Sequence, residues 1–176
     1  MELAGVGLRG LRPEDARRWR IAVIDGPNMP NLGARDPGIY GPIRSLADLQ
    51  EFVRRVADAV GVEVEAFASN HEGEILEFIH AGAAAVDGYL INPAGLTTYG
   101  EATRHALADS RRPYVEVHFA NLSRHVDAID PKAELRSRFT HSAAGLSMGM
   151  RQYSYAGALL ALALSLDDEA FLGGGA

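Results

Sequence analysis

Apolar positions along the chain fall into short runs separated by longer segments of helical spacing. Ile21-Ala22-Val23-Ile24 is a run stopped by Asp25-Gly26-Pro27, the pattern of a buried strand that Gly and Pro forbid from continuing. After Ser45, a residue type that caps helices, Leu46, Leu49, Phe52, Val53, Val56 and Val60 repeat at helical spacing until Gly61. Residues 62–68 alternate and then turn apolar, as a strand does. Ser69-Asn70 reads as the cap of a second helix carrying Ile75, Leu76, Phe78 and Ile79 and ending near Gly82. Residues 87–92 predict a third strand, a helix from about Tyr99 to Ser110 follows, and residues 113–118 predict a fourth strand. A weaker fifth strand is expected near Leu146 to Met150, ahead of a helix from Tyr155 to Leu166 that is apolar on nearly every side.

Strands alternating with helices of about 10–15 residues predict an α/β fold, a parallel sheet with helices on both faces and right-handed crossovers. A helix apolar all round needs more cover than a surface helix receives, which points to contact in an oligomer. The pattern divides the chain into an N-terminal extension over residues 1–20, a single domain over 21–167 and a frayed tail over 168–176. The extension, with one short helical turn from Pro13, reads as a surface or interface arm. Between residues 28 and 40 runs a long polar loop stiffened by Pro30 and Pro37. Loops of that length inside compact domains are usually functional or disordered, and the Pro and Gly punctuation favours function. Residues 119–140 are polar and read as a second loop with a helical turn.

The 176 residues are enough for one core, and a net charge of −6 without a basic stripe excludes bulk nucleic-acid binding. No apolar run reaches the roughly 18 residues of a membrane span. The N-terminus lacks the charged-then-apolar order of a signal peptide, so a cytoplasmic protein is expected. Absence of cysteine removes disulfides, thiolate chemistry and Cys-ligated zinc. The single lysine, Lys132, lies in a polar stretch unsuited to Schiff-base chemistry. His71, Glu72 and His80 lack the spacing of a helical zinc pair, and no nucleotide loop or nucleophile elbow is present, so neither metal nor cofactor is expected.

Ligands of open parallel sheets bind outside the carboxyl ends of the strands. Here those ends lead into Asn28, Arg35 and Tyr40 after the first strand, Asn92 at the third, and Glu116 and His118 at the fourth. Residues two apart share a strand face, so Glu116 can stand beside His118, fix its tautomer and make it a general acid. A tyrosine beside an arginine can have its phenol acidified into a usable base. Each group alone has a plainer reading, Tyr40 as a capping aromatic and Glu116-Val117-His118 as an ordinary strand-end pair. Their convergence favours an enzyme that takes a proton beside a carbonyl and expels a hydroxyl.

Gly26-Pro27-Asn28, Leu32-Gly33, Arg35-Asp36-Pro37, Tyr40-Gly41, Ser69-Asn70-His71-Glu72-Gly73-Glu74, Ile91-Asn92-Pro93 and Glu116-Val117-His118 stand in an order and spacing that resembles the type II dehydroquinases, the 3-dehydroquinate dehydratases. The resemblance covers about residues 21–121. It implies a flavodoxin-like three-layer sandwich on a five-stranded parallel sheet, and a homo-oligomer, a dodecamer built from trimers. It also implies a metal-free and cofactor-free elimination of water from a small-molecule substrate through an enolate. Position by position, it implies Tyr40 as base, Arg35 assisting its ionisation, Asn28 stabilising the enolate through water, and His118 as acid oriented by Glu116. Asn92 would position substrate, and the loop from 28 to 40 would close as a lid.

The departures concern the groups that hold substrate. The family's substrate-binding histidine falls at Thr98, and the acidic residue that reaches a neighbouring subunit's site falls at His105. Phe119-Ala120-Asn121 follows His118 without the usual serine hydroxyl, and the segment from Arg124 to Thr140 is longer than its counterpart. No arginine matches the substrate-binding one, with Arg136 or Arg138 as the candidates to replace it. Thr98, His105, Phe119, Ala120 and Arg138 are thus the expected substrate contacts beside Asn92. A site built to bond a substrate hydroxyl discriminates by about 10⁴ or more, so these changes bear on substrate choice. Three readings follow: a dehydroquinase with substitute contacts, a dehydratase for a less hydroxylated β-hydroxy ketone of specialised metabolism, and a non-catalytic binding protein. The intact proton-transfer set favours the dehydratases.

Overall fold

The computed structural model describes residues 8–124, 136–168, 170 and 171. Strands β1 (Arg20–Asp25), β2 (Glu63–Ala68), β3 (Gly88–Asn92), β4 (Tyr114–His118) and β5 (Gly145–Met148) form one sheet in the order β2-β1-β3-β4-β5, with every neighbouring pair parallel. This is the flavodoxin-like order, whose switch point lies between β1 and β3. Helices α1 (Pro37–Tyr40), α2 (Leu46–Val60), α3 (Glu72–Gly82), α4 (Glu101–Asp109) and α5 (Tyr153–Asp167) connect or follow the strands.

Alternation along the buried strands feeds two cores. Ile21, Val23, Leu90, Val115 and Val117 face α2 and α5. Ala22, Ile24, Tyr89, Ile91 and Tyr114 face α3 and α4. Because β1, β3 and β4 are covered on both sides, they read as near-continuous apolar runs, whereas edge strand β2 remains largely exposed.

Local chemistry explains where the elements begin and end. The Ser45 hydroxyl accepts from the Asp48 amide at 3.1 Å at the start of α2, and Gly61 closes that helix at φ 83°. At α3 the expected Ser69-Asn70 cap is displaced: His71 is the boundary residue and is still extended. Ser69 instead accepts from the His71 amide at 2.9 Å and donates to Glu74 at 2.5 Å. Helix α4 starts at Glu101 rather than near Tyr99, because the chain first makes a 3₁₀ turn over Ala94–Leu96 and Gly100 is non-helical. The loop after β1 is not irregular throughout. It holds a 3₁₀ helix at Met29–Ala34 and the single turn α1, with Pro30 and Pro37 at starting positions where proline's missing N–H is harmless.

The chain before β1 lies mostly exposed on the surface and is stapled there through Arg12. It carries a 3₁₀ helix at Leu8–Leu11 ahead of the turn at Pro13, where the Ala16 amide meets the Pro13 carbonyl at 3.1 Å. Buried Arg12 donates to both oxygens of Asp167 at 2.7 and 2.9 Å and to the carbonyls of Val60, Gly61 and Arg17. It thereby ties the arm to the ends of α2 and α5. Helix α5 buries Tyr155, Ala158, Leu159, Leu162 and Leu166, while Gly157 and Ala161 leave an exposed stripe. Most of the long segment after Arg124 (residues 125–135) and most of the expected tail (172–176) lie outside the described residues. Among the described residues, no helix is long and apolar enough to cross a membrane.

Candidate active site

Beyond the carboxyl ends of β1, β3 and β4 lies a cleft of about 370 Å³, a volume suited to a small molecule. Asn28, Arg35, Tyr40, Asn92, Thr98 and His118 line it, together with Phe119 and Ala120. The topology brings these groups together, since β1 and β3 are adjacent and β4 follows β3.

One wall carries a cation on an aromatic ring. The Arg35 guanidinium carbon is 3.8 Å from the Tyr40 ring centroid. Tyr40 belongs to α1, and its ring centroid lies 5.9 Å from that of Phe119, which in turn meets Tyr155 edge-on at 5.6 Å. Asn28 adopts φ 75°, a left-handed conformation that asparagine tolerates, and its amide is held by the Asn70 side-chain oxygen at 2.9 Å.

His118 at the end of β4 carries a buried partner. Its Nε2 is 2.6 Å from Glu116 Oε1, and the Thr140 hydroxyl donates to Glu116 Oε2 at 2.5 Å. Glu116 is wholly buried behind the imidazole and does not reach the cleft. Burial by itself raises the Glu116 carboxyl, but bonds from His118, Ser137 and Thr140 together outweigh it and hold the group below the ordinary carboxylate range. With Nε2 committed to this carboxylate, Nδ1 is the nitrogen left to serve the cleft.

Asn92 lines the cleft with an amide already occupied. Its Nδ2 donates to the Tyr155 hydroxyl at 2.8 Å and to the Met29 sulfur at 3.3 Å, and its Oδ1 accepts from the Ala94 amide at 3.1 Å. One carbonyl lone pair remains for a ligand. The Tyr155 hydroxyl in turn donates to Asp25 Oδ1 at 2.5 Å. Full burial pushes the Asp25 carboxyl up to about 7, partly offset by that bond, and burial beside Asp25 raises Tyr155 well above its ordinary value. Sequence pattern does not single out Asp25 or Tyr155. The only local signals are an acidic residue ending an apolar strand and a hydroxyl at the start of an apolar helix.

Two expected substrate contacts lie outside the cleft. His105 is on the exposed face of α4, where its Nε2 pairs with Glu101 at 3.2 Å. Arg138 is exposed and spends its Nε on the Thr98 carbonyl at 3.1 Å, while its backbone amide meets the Thr97 carbonyl at 2.8 Å. It therefore buttresses the cleft wall instead of entering it. Exposed Tyr99 and half-buried Leu122 line the cleft as well, neither of them marked by the sequence pattern.

Comparison with known proteins agrees with this geometry. The family model described as dehydroquinase class II matches residues 19–163. The chain is 47% identical over 108 residues to a 3-dehydroquinate dehydratase of Halothermothrix orenii, covering 61% of this chain and 72% of that one. It is 38% identical over 152 residues to a catabolic 3-dehydroquinase of Neosartorya fischeri, covering 86% of this chain and 97% of its relative. The crystal structure of a type II dehydroquinase from Butyrivibrio crossotus superposes with a TM-score of 0.74 at 31% identity, over 82% of this chain and 97% of that one. With sequence model, relatives and fold in agreement, the chain belongs to the class II dehydroquinase family of hydro-lyases.

Proposed function

We propose that the chain converts 3-dehydroquinate to 3-dehydroshikimate, with Tyr40 as base and His118 as acid. Tyr40 as phenolate takes the proton beside the substrate carbonyl, and Arg35 on its ring supplies the countercharge. The electrons pass to the carbonyl oxygen as an enolate, which Asn28 stabilises through a water molecule. As the enolate collapses, His118 protonates the departing hydroxyl, so water leaves and an enone remains. Glu116 acts through His118 as a positioning residue, and Asn92 offers its free lone pair to the substrate. The observation that carries this reading is one cleft lined by both the Arg35–Tyr40 pair and the Glu116-backed His118.

Enone absorbance should appear when the protein meets 3-dehydroquinate, and Tyr40→Phe should lower kcat by about 10²–10⁴. Turnover that survives Tyr40→Phe would exclude Tyr40 as the base.

The cleft also favours a second substrate class. Thr98 and Ala120 line it where the resemblance expects a histidine and a serine, and Arg138 stands outside it with its Nε on the Thr98 carbonyl. A less hydroxylated β-hydroxy ketone would undergo the same dehydration here, and it would be recognised by faster turnover than 3-dehydroquinate in a side-by-side assay.

We further propose a cytoplasmic dodecamer of trimers. The exposed apolar stripe of α5 and the placement of His105 outside its own chain's cleft support assembly, and the cysteine-free composition suits a reducing compartment. Light scattering reads the assembly size directly.

A further inference from the structure

Tyr40 rides on α1, a single turn in which no residue is buried. A lone turn does not hold itself in water, so something else must fix its place. One tie is local: the Asp36 carboxylate accepts from the Gly38 amide at 2.8 Å. Tyr40 itself packs half-buried against Phe119, and a further tie, on the backbone of the turn, crosses from the turn between β5 and α5, where Arg151 Nη2 donates to the Gly38 carbonyl at 2.9 Å.

Arg151 is itself anchored to the strand end that bears the acid. Its backbone amide meets the Phe119 carbonyl at 3.1 Å, next to His118. Its stem runs along Gly41, at φ 77°, where a methyl group would come within 2.8 Å of Arg151 Cδ. Glycine at 41 is what lets the arginine pass. Arg151 holds φ 55°, a conformation that a long side chain adopts at a cost and that commonly marks a constrained site.

We propose that Arg151 is a positioning residue for Tyr40: by gripping the Gly38 carbonyl it fixes the turn that carries the base to the strand end that carries the acid. This rests on the reading of Tyr40 as base. An exposed bond of this kind corresponds to about a three- to tenfold effect. Groups on β3 and β4 bind substrate without it, so the effect belongs to kcat.

Hydrogen exchange and steady-state kinetics of Arg151→Ala and Arg151→Lys test the proposal. Amides of residues 39–41 should exchange about three- to tenfold faster in Arg151→Ala, with those of α2 unchanged. The same variant should lose about three- to tenfold in kcat with little change in KM, and Arg151→Lys, which keeps one donor, should recover part of both. Unchanged exchange at 39–41 would overturn the latch. A raised KM with kcat intact would overturn it too, by making Arg151 a substrate contact. Full activity in Tyr40→Phe, with faster exchange in Arg151→Ala, would instead remove the base assignment while leaving the latch.

Discussion

Asn92 donates to the Tyr155 hydroxyl at 2.8 Å, and that hydroxyl donates onward to Asp25 at 2.5 Å. The three groups come from β3, α5 and β1 and meet because β1 and β3 are neighbours in the sheet. Tyr155→Phe removes the middle member and strands two buried polar groups, at a cost of about 1–3 kcal/mol each. Denaturant unfolding should show that loss. The specificity constant kcat/KM should also fall, because the Asn92 carbonyl is no longer aimed. Unaltered unfolding would mean the chain of bonds does not form in solution.

Asp25 makes stability depend on pH in an uncommon direction. Its folded-state value of about 7 lies above the ordinary 3.8, so between these values the native state holds a proton that the unfolded state has released. Stability from this group is therefore complete in acid and falls as pH rises from about 4 through about 7. At about 1.4 kcal/mol per unit the whole effect is on the order of 4 kcal/mol. Asp25→Asn mimics the neutral carboxyl, so it should match the parent near pH 4 and be more stable than it at pH 8. Denaturant melts at the two pH values check this. A parent that is no less stable than Asp25→Asn at pH 8 would show Asp25 to be ionised without penalty.

The fold was legible wherever the cause is local. Strand–helix alternation implies the parallel sheet, the Ser45 cap and Gly61 bound α2, and the two-residue strand period brings Glu116 to His118. What escaped has its cause elsewhere in the chain or in a rule applied too bluntly. Pro30 and Pro37 read as stiffeners of a polar loop, yet proline also starts helices, and here they begin a 3₁₀ helix and α1. The Asp25–Tyr155 bond spans 130 residues and the Arg151–Gly38 bond 113, separations at which no periodicity carries a signal. Arg138 is a candidate substrate grip only through the resemblance, and its position against the Thr98 carbonyl depends on how the segment after residue 135 returns to the sheet.

Glu116→Gln keeps the shape of the buried side chain and removes its charge from beside the imidazole. A general acid held in place by a carboxylate should lose activity with it, by about 10²-fold in kcat. The same carboxyl is held below its ordinary range, so its stabilisation is present above that range and lost as acid protonates it. Activity that stays at the parent level would remove Glu116 from the mechanism.

The cleft wall offers the decisive comparison between the two substrate readings. Thr98 and Ala120 both line the cleft, and the resemblance expects a histidine and a serine in their places. If 3-dehydroquinate is the substrate, Thr98→His and Ala120→Ser give its polar groups new partners, and KM should fall by about three- to tenfold for each bond made. If the substrate lacks those hydroxyls, the same changes place donors and acceptors in the cleft that a bound ligand leaves unpaired. Turnover of the less hydroxylated ketone should then drop by about tenfold while that of 3-dehydroquinate rises. The parent's own preference between the two substrates separates the readings, and opposite movement of the two substrates in the variants shows that Thr98 and Ala120 set that preference. Movement of both substrates in the same direction would mean that Thr98 and Ala120 do not set specificity.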